Sequence, residues 1–386
     1  MRPDRFRLLI HHHDIARRDE NDDLWLTAGI GRWVSALADH FAEIGLLLHE
    51  SAVPMPRQDT PVCHENVRLI TLGPPGHYWD RISRMRRIRS ACREVGNQSD
   101  GLLIRGFTPR QYEVWKYTPV NHKALLVVGS LGKTPVVSII TSMLQQLRLY
   151  EFRKIATPNT LLLANSIQSV SEIQRITGRT PFFIPTNTIR RNEFSPFVIR
   201  SVNSPWRLLF CGRLDPLKGF DELFQTLAIL NAQGHPCVLD IAARLIEPIH
   251  SQMVILATHL GISDKIFWHG QVPYGLNLFK LYQQADALVL PTYTEGFPRV
   301  IWEAAANCCA VITTSVGGIP ALIKHEEHAL LVPPKDVSSL VLAVNRLFTD
   351  DGLRRRLVEQ AYRTALDFTV EVCAQKLVDT LSQEWK

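Results

Sequence analysis

The sequence runs twice through the same alternation. Short apolar stretches, each the size of one buried strand, are separated by longer stretches with helical spacing. The first half offers Phe6–Ile10, Leu46–Leu48, Val67–Leu72, Gly101–Ile104, Ala124–Val128, Leu161–Ala164 and Phe182–Ile184 as strands. Between Gly29 and Ile44, the residues Ile30, Trp33, Val34, Leu37, Phe41 and Ile44 recur at three and four, which predicts one helix face. The second half repeats the pattern with Arg207–Cys211, Val238–Ala242, Lys265–Trp268, Ala287–Leu290, Ala310–Thr313 and Leu330–Val332. Strands alternating with helices can bury both sheet faces only as βαβ units, so a parallel sheet is expected. A chain of 386 residues exceeds what a single core usually supports. The prediction is therefore α/β, with two facing Rossmann-like domains, an inter-domain cleft and a break in Ser195–Pro205.

Charge is unevenly divided. Up to residue 204 there are 27 Lys and Arg against 18 Asp and Glu, and the remainder has 16 against 19. The whole excess behind the net +6 lies in the first half, which points to an anionic surface or partner for that half. Seven cysteines without a Cys-x-x-Cys spacing argue for free thiols in a reducing compartment, and against a zinc site. No apolar run approaches the roughly 18 residues of a transmembrane helix. The start of the chain does not read as a signal peptide. The expectation is a cytoplasmic protein, peripheral on the inner face of the cell membrane if it meets a membrane at all.

Three stretches of the second half carry chemistry. Gly212 to Phe220 follows a strand and leads into a helix; its glycines, Arg213 and Lys218 suit a phosphate. Pro291 to Glu303 follows the strand ending at Leu290. Ligands of open α/β sheets bind at the carboxyl ends of strands, so Glu295 and Glu303 stand where hydroxyls of a sugar or ribose would be held. Gly296 lets backbone approach an anion. Thr313 to Pro320 is a third, glycine-rich turn, weak evidence by itself.

Taken in order, these motifs resemble a known family. Gly-Arg-Leu-x3-Lys-Gly, Trp268-His269-Gly270-x-Val272-Pro273, Glu295-Gly296-Phe297-Pro298 with Glu303, Val316-Gly317-Gly318-Ile319-Pro320 and Leu330 to Pro334 are similar to the GT4 family of retaining glycosyltransferases, which have the GT-B fold. The spacing of Glu295 and Glu303 matches that family's E-x7-E motif. The resemblance spans about residues 182–370. It implies an acceptor-side domain over 1–198, a nucleotide-sugar domain over 205–365, and a closing helix over 366–386 that crosses back to the first domain. It implies that Arg213 and Lys218 hold the donor diphosphate, Glu295 the sugar and Glu303 the ribose. Gly296, Phe297 and Pro298 would lie along the distal phosphate and sugar, and Gln271, Val272 and Pro273 under the base. No metal or cofactor beyond the donor is implied, and the family offers no settled protein nucleophile.

The pattern is not followed everywhere. The family's Gly-x-Gly after the second strand of this domain is here Ala242-Ala243-Arg244, and its Ala-Cys-Gly-x-Pro is Ala306-Asn307-Cys308-Cys309-Ala310. In the first domain, Gly29 and Gly31 occupy the place of the family's glycine-rich loop and would turn backbone N–H groups toward the donor phosphate. The His expected after Ala124–Val128 is missing, and Gly129-Ser130-Leu131 stands there instead. Gly132-Lys133-Thr134 lacks the upstream glycine of a P-loop. His11-His12-His13-Asp14 reads as loop histidines near the cleft, with His13 or Asp14 as substrate contacts in a sharper reading. Arg81, Arg84, Arg86, Arg87, Arg89 and Arg93 line a basic helix whose apolar positions are Ile82, Met85, Ile88 and Cys92. Such a helix suits an anionic membrane surface or is a solvated basic face; without aromatic interleaving it does not suit nucleic acid.

The function expected is transfer of a sugar from a UDP- or GDP-sugar to a glycan, lipid-linked or small-molecule acceptor, in polysaccharide or glycoconjugate assembly. A second reading keeps the fold and loses catalysis, leaving a subunit that binds nucleotide sugar or a partner transferase.

Overall fold

A computed structural model describes residues 2–55, 58–76, 84–106, 111–129, 131, 139–202 and 204–386. Chain contacts divide it into unit 1, Met1–Thr188 with Val370–Lys386, and unit 2, Ile189–Thr369. Ser130, Gly132-Lys133-Thr134 and Arg81 lie outside the described residues.

Unit 1 holds β1 (Arg7–Arg18), β2 (Leu24–Thr27), α1 (Ala28–Ala38), β3 (Glu43–Glu50), β4 (Gln58–Val62), β5 (Val67–Thr71), α2 (Met85–Gly96), β6 (Gly101–Arg105), α3 (Gln111–Tyr117), β7 (His122–Val127), α4 (Ile139–Ile155), β8 (Thr160–Ala164), α5 (Ile167–Thr177) and β9 (Phe182–Phe183). Its nine-stranded sheet has a parallel body in the order β5-β3-β1-β6-β7-β8-β9. The outer end of β1 pairs antiparallel with β2, and β2 with β4. That antiparallel flap escapes the sequence pattern because its strands are short and Pro61 sits in β4, as proline does on edges. The helix expected over Gly29–Ile44 stops at Ala38. Phe41 is a buried connector and Ile44 already belongs to β3, whose apolar run fits either period.

Unit 2 holds β10 (Trp206–Arg213), α6 (Phe220–Ala232), β11 (Cys237–Arg244), α7 (Ile249–His259), β12 (Ile266–Trp268), α8 (Leu276–Gln284), β13 (Ala287–Leu290), α9 (Val300–Ala306), β14 (Ala310–Thr314), α10 (Ile319–Leu322), β15 (Leu330–Val332), α11 (Val337–Thr349) and α12 (Asp351–Leu366). All six strands are parallel, in the order β12-β11-β10-β13-β14-β15. Reversal of strand order between β10 and β13 makes a topological switch point at their carboxyl ends. Helix starts are capped by side chains: Asp336 accepts from Ser339 N at 2.9 Å and Asp350 from Leu353 N at 2.8 Å.

The final helix, α13 (Val370–Glu384), buries Val370, Ala374, Leu377, Val378 and Leu381 in the unit 1 core, and Trp385 stacks on Phe6 at 5.5 Å. The other division falls upstream of the Ser195–Pro205 break. The cause is visible in Arg200, whose guanidinium caps the carbonyl ends of two unit 2 helices. It reaches the Gln283 carbonyl of α8, and those of Asn307 and Cys308 after α9 at 3.1 and 2.9 Å. Tyr362 also donates to Ser195 O at 2.8 Å. This segment therefore belongs to unit 2.

Candidate functional site

Three loops meet at the carboxyl edge of the unit 2 sheet. After β10, Asp215 accepts from Leu217 N at 2.9 Å and starts a single 3-10 turn over Pro216–Lys218. Gly219 follows at φ 71°, where a Cβ would run into the Pro291 carbonyl oxygen. The loop after β13 leans on that turn: Tyr293 N and Thr292 Oγ1 both donate to Leu217 O, at 2.9 and 3.2 Å. On its other side it meets the turn after β14. Gly317, at φ 58°, leaves no room for a Cβ beside the Glu295 carbonyl. Gly318 N donates to Gly296 O at 2.7 Å, and Thr314 Oγ1 to Thr292 O at 2.6 Å. The glycines are thus required by close approach of main chain to main chain.

This frame brings Lys218 and Glu295 together as an ion pair, with side chains 11% and 16% exposed. Arg213 stands apart, 69% exposed and 3.7 Å from Asp215. The start of α6 carries Asp221 and Glu222, which already answer its positive end. Positive charge for an anion here rests on Lys218 and Arg213 rather than on a helix dipole. Glu222 is further engaged by the Tyr293 hydroxyl at 2.6 Å.

Glu303 lies in the first turn of α9 and is buried. Its Oε2 accepts from the hydroxyl of Tyr282, a fully buried residue of α8, at 2.9 Å. Burial first, then the charges of Cys211 and Glu303, hold the Tyr282 hydroxyl protonated by raising its pKa far above the usual range. Burial and Glu303 likewise push Cys211 up to about 12. A tyrosine at helical spacing gives no sign in sequence that it will orient a carboxylate, so Tyr282 was missed. Phe297 is fixed by stacking on Trp302 at 5.2 Å, while nothing stands within 4 Å of a Cβ at Gly296. Gln271 and Pro273 are exposed and Val272 half-buried, in the turn after β12 that Gly270 opens at φ 67°.

The unit 1 expectations fare differently. Gly29 and Gly31 form no loop: both lie in the opening turns of α1. Gly31 is buried, and a Cβ there would stand 2.9 Å from the Thr60 methyl, so it serves packing against β4. In α2, the described apolar positions Met85, Ile88 and Cys92 are buried in unit 1, and Ile82 lies outside the described residues. Arg84 donates to Pro74 O at 2.6 Å; Arg89 pairs with Glu113 and lies over Tyr117, as does Arg93. Arg86 and Arg87 are exposed. Among the described residues, no group of three or more His, Cys, Asp or Glu could hold a metal, and no helix is long and apolar enough to cross a membrane.

Comparison with known proteins explains the frame. Residues 192–364 match the family model of glycosyl transferases group 1. The chain is 34% identical over 154 residues to an uncharacterized glycosyltransferase of Methanocaldococcus jannaschii, covering 40% of this chain and 38% of that protein. It is 31% identical over 185 residues to the D-inositol 3-phosphate glycosyltransferase of Salinispora tropica, covering 45% and 37%. The chain thus spans well under half the length of these two relatives. Across its whole length the chain has the GT-B fold. It superposes on sucrose-phosphate synthase from Thermosynechococcus elongatus with a TM-score of 0.72 at 17% identity, covering 99% of both chains. On the Anabaena HepE protein in complex with UDP and glucose the TM-score is 0.70 at 16% identity, covering 98% and 100%. The group 1 domain holds every motif of the second half, including Lys218, Glu295 and Glu303.

Proposed function

We propose that the protein transfers a sugar, with retention, from a UDP- or GDP-sugar to a glycan, lipid-linked or small-molecule acceptor. The observation that carries this reading is the Lys218–Glu295 pair, clamped between glycine turns at the switch point of a group 1 domain. The Lys218 ammonium is answered by Glu295. A donor diphosphate offers Lys218 and Arg213 more negative charge, and Glu295 is then released to accept hydrogen bonds from sugar hydroxyls. Fixed cations beside the leaving phosphate stabilise the charge that develops as the anomeric bond breaks, which supports a metal-independent reaction. Glu303, held by Tyr282, is left for the ribose hydroxyls, and no side chain is assigned as general base. The complex of HepE with UDP and glucose supports a nucleotide-sugar donor.

Thermal-shift titration with UDP-, GDP- and ADP-sugars tests the donor, because a ligand that binds the folded state raises Tm. The anomeric configuration of the product, read by NMR, tests retention. A donor that binds without hydrolysis or transfer over a broad acceptor panel would establish the non-catalytic reading instead. For the exposed basic side of α2, the fitting partner is an anionic headgroup layer held by charge alone. Flotation should need anionic lipid and fade with salt, and binding indifferent to both removes that partner.

A further inference from the structure

Asp240, in the middle of β11, is a carboxylate only 2% exposed. Two side chains hold it. Arg207 of β10 reaches Oδ2 with Nε at 2.6 Å and Oδ1 with Nη2 at 2.8 Å. His269, just past β12, places Nε2 2.5 Å from Oδ1. The main chain fixes that histidine too, since His269 N donates to Ile241 O at 3.0 Å. Alternation along β11 puts Asp240 on the same face as Ala242, which packs in one cluster with Tyr282, the residue that holds Glu303.

An ionised carboxylate only accepts hydrogen bonds, so the imidazole nitrogen that faces it carries the proton. In the neutral ring Nε2–H is therefore spent on Asp240, and Nδ1 keeps a bare lone pair. The His269 side chain is 30% exposed, and among the described residues its one side-chain hydrogen bond is that to Asp240. His269 also stands in a row with the charges described above. The strands run in the order β12-β11-β10-β13. At their carboxyl ends His269 follows β12, Lys218 lies in the turn after β10, and Glu295 in the loop after β13. Two strand spacings, roughly 10 Å, separate the ends of β12 and β10. One nucleotide covers such a span from base to diphosphate.

We propose that His269 Nδ1 accepts a hydrogen bond from the ring N–H of the nucleotide base, and that Asp240 is the positioning residue that sets its tautomer. The site then takes uracil or guanine, whose pairing edges carry a ring N–H. It rejects cytosine and adenine, which present a lone pair there and would set it against that of Nδ1. This assignment rests on the nucleotide-sugar reading and adds to it the choice of base.

The test is competition binding of UDP, CDP, GDP and ADP to the full chain at about pH 8, where an ordinary imidazole is neutral. UDP should bind about tenfold more tightly than CDP, or GDP than ADP, and the tighter of UDP and GDP identifies the base. His269→Phe removes the lone pair and should bring each ratio to within about twofold. Asp240→Asn turns an amide N–H toward Nε2 and so moves the ring proton to Nδ1. It should weaken UDP and strengthen CDP, whereas a merely structural role would weaken both alike. Should both variants fail to fold, imidazole nitrogen NMR of the wild type decides. The preferred nucleotide should move the His269 Nδ1 signal and inorganic pyrophosphate should not. Equal affinities for all four nucleotides, ratios unchanged in the folded variants, or a still Nδ1 signal overturn the role of His269 while nucleotide binding stands. Binding of none of the four overturns the nucleotide-sugar reading, and this assignment with it.

Discussion

In unit 2 the turns after β10, β13 and β14 are tied main chain to main chain, through Leu217 O, Gly296 O and the space left by Gly219 and Gly317. In unit 1 the corresponding edge is tied by side chains that reach across the sequence. His12 meets Arg105, Thr27 Oγ1 donates to Asp14 at 2.7 Å, Leu131 N donates to Glu172 at 2.6 Å, and Asn165 Nδ2 donates to Thr186 Oγ1 at 3.2 Å. A main-chain frame leaves its mark as glycines at set positions and presents a few charged side chains on it. A side-chain frame can be made from many residue pairs and leaves no spacing behind. The first suits a ligand portion common to many reactions, and the second a portion that differs between them.

The largest effect should come from the charges on the main-chain frame. Lys218→Ala or Glu295→Ala should cost about 100- to 1000-fold in kcat, the range for removing one preorganised charge partner. Each single change also leaves a poorly solvated partner unpaired, so each should lower Tm. The double change should recover Tm and not turnover. Near wild-type turnover in either single variant would remove the pair from the reaction.

Next is the frame itself. Gly317→Ala forces the Glu295 carbonyl aside and places a Cβ at positive φ. Donor affinity should fall more than about tenfold, at least 1.4 kcal/mol. Gly31→Ala in unit 1 meets the side chains of Thr60 at 2.9 Å and Leu26 at 3.4 Å but no main chain, and about 1 kcal/mol of helix propensity offsets that crowding. Its Tm should move little. Equal losses in both variants would erase the contrast between the two edges. Smaller again is Tyr282→Phe, which removes one hydroxyl from Glu303. Nucleotide affinity should weaken about five- to tenfold, near 1 kcal/mol, with kcat nearly kept. A matching fall in kcat would place Tyr282 in the chemistry instead.

These differences also account for what could be read without a structure. The parallel strands of both units were legible because buried strands are near-continuous apolar runs. The three unit 2 loops that lie together were legible because Gly219, Glu295, Gly317 and Glu303 recur in a family pattern. The loop expected at Gly29 and Gly31 is a helix start instead, since a Gly-x-Gly pair looks the same in a loop and in a first turn packed against Thr60. For α2, periodicity cannot say whether Met85, Ile88 and Cys92 face lipid or the protein's own interior, and the structure buries them. The pairing of His12 with Arg105 was out of reach, because only the order of β1 and β6 in the sheet brings them together.

Two histidines carry the comparison down to its finest scale. His328, in unit 2, is satisfied: Lys324 N donates to its Nδ1 at 3.1 Å, and Glu327 lies 3.4 Å from its Nε2. Burial lowers its pKa while Glu327 raises it. His12 is faced by Arg105, His13 and His11, all of which lower its pKa along with burial. Above the ordinary histidine value of 6.5, neither the folded nor the unfolded chain binds a proton at His12, and its contribution is fully present. As pH falls through that value, the unfolded chain takes up a proton that the folded chain refuses, so stability drops until the lowered folded pKa is reached. The slope approaches about 1.4 kcal/mol per pH unit. His12→Phe should therefore flatten the fall in Tm between about pH 7 and pH 5, whereas His328→Phe should flatten it less. Parallel Tm curves for wild type and His12→Phe would show that the ring is not held neutral, and would leave the two edges electrostatically alike.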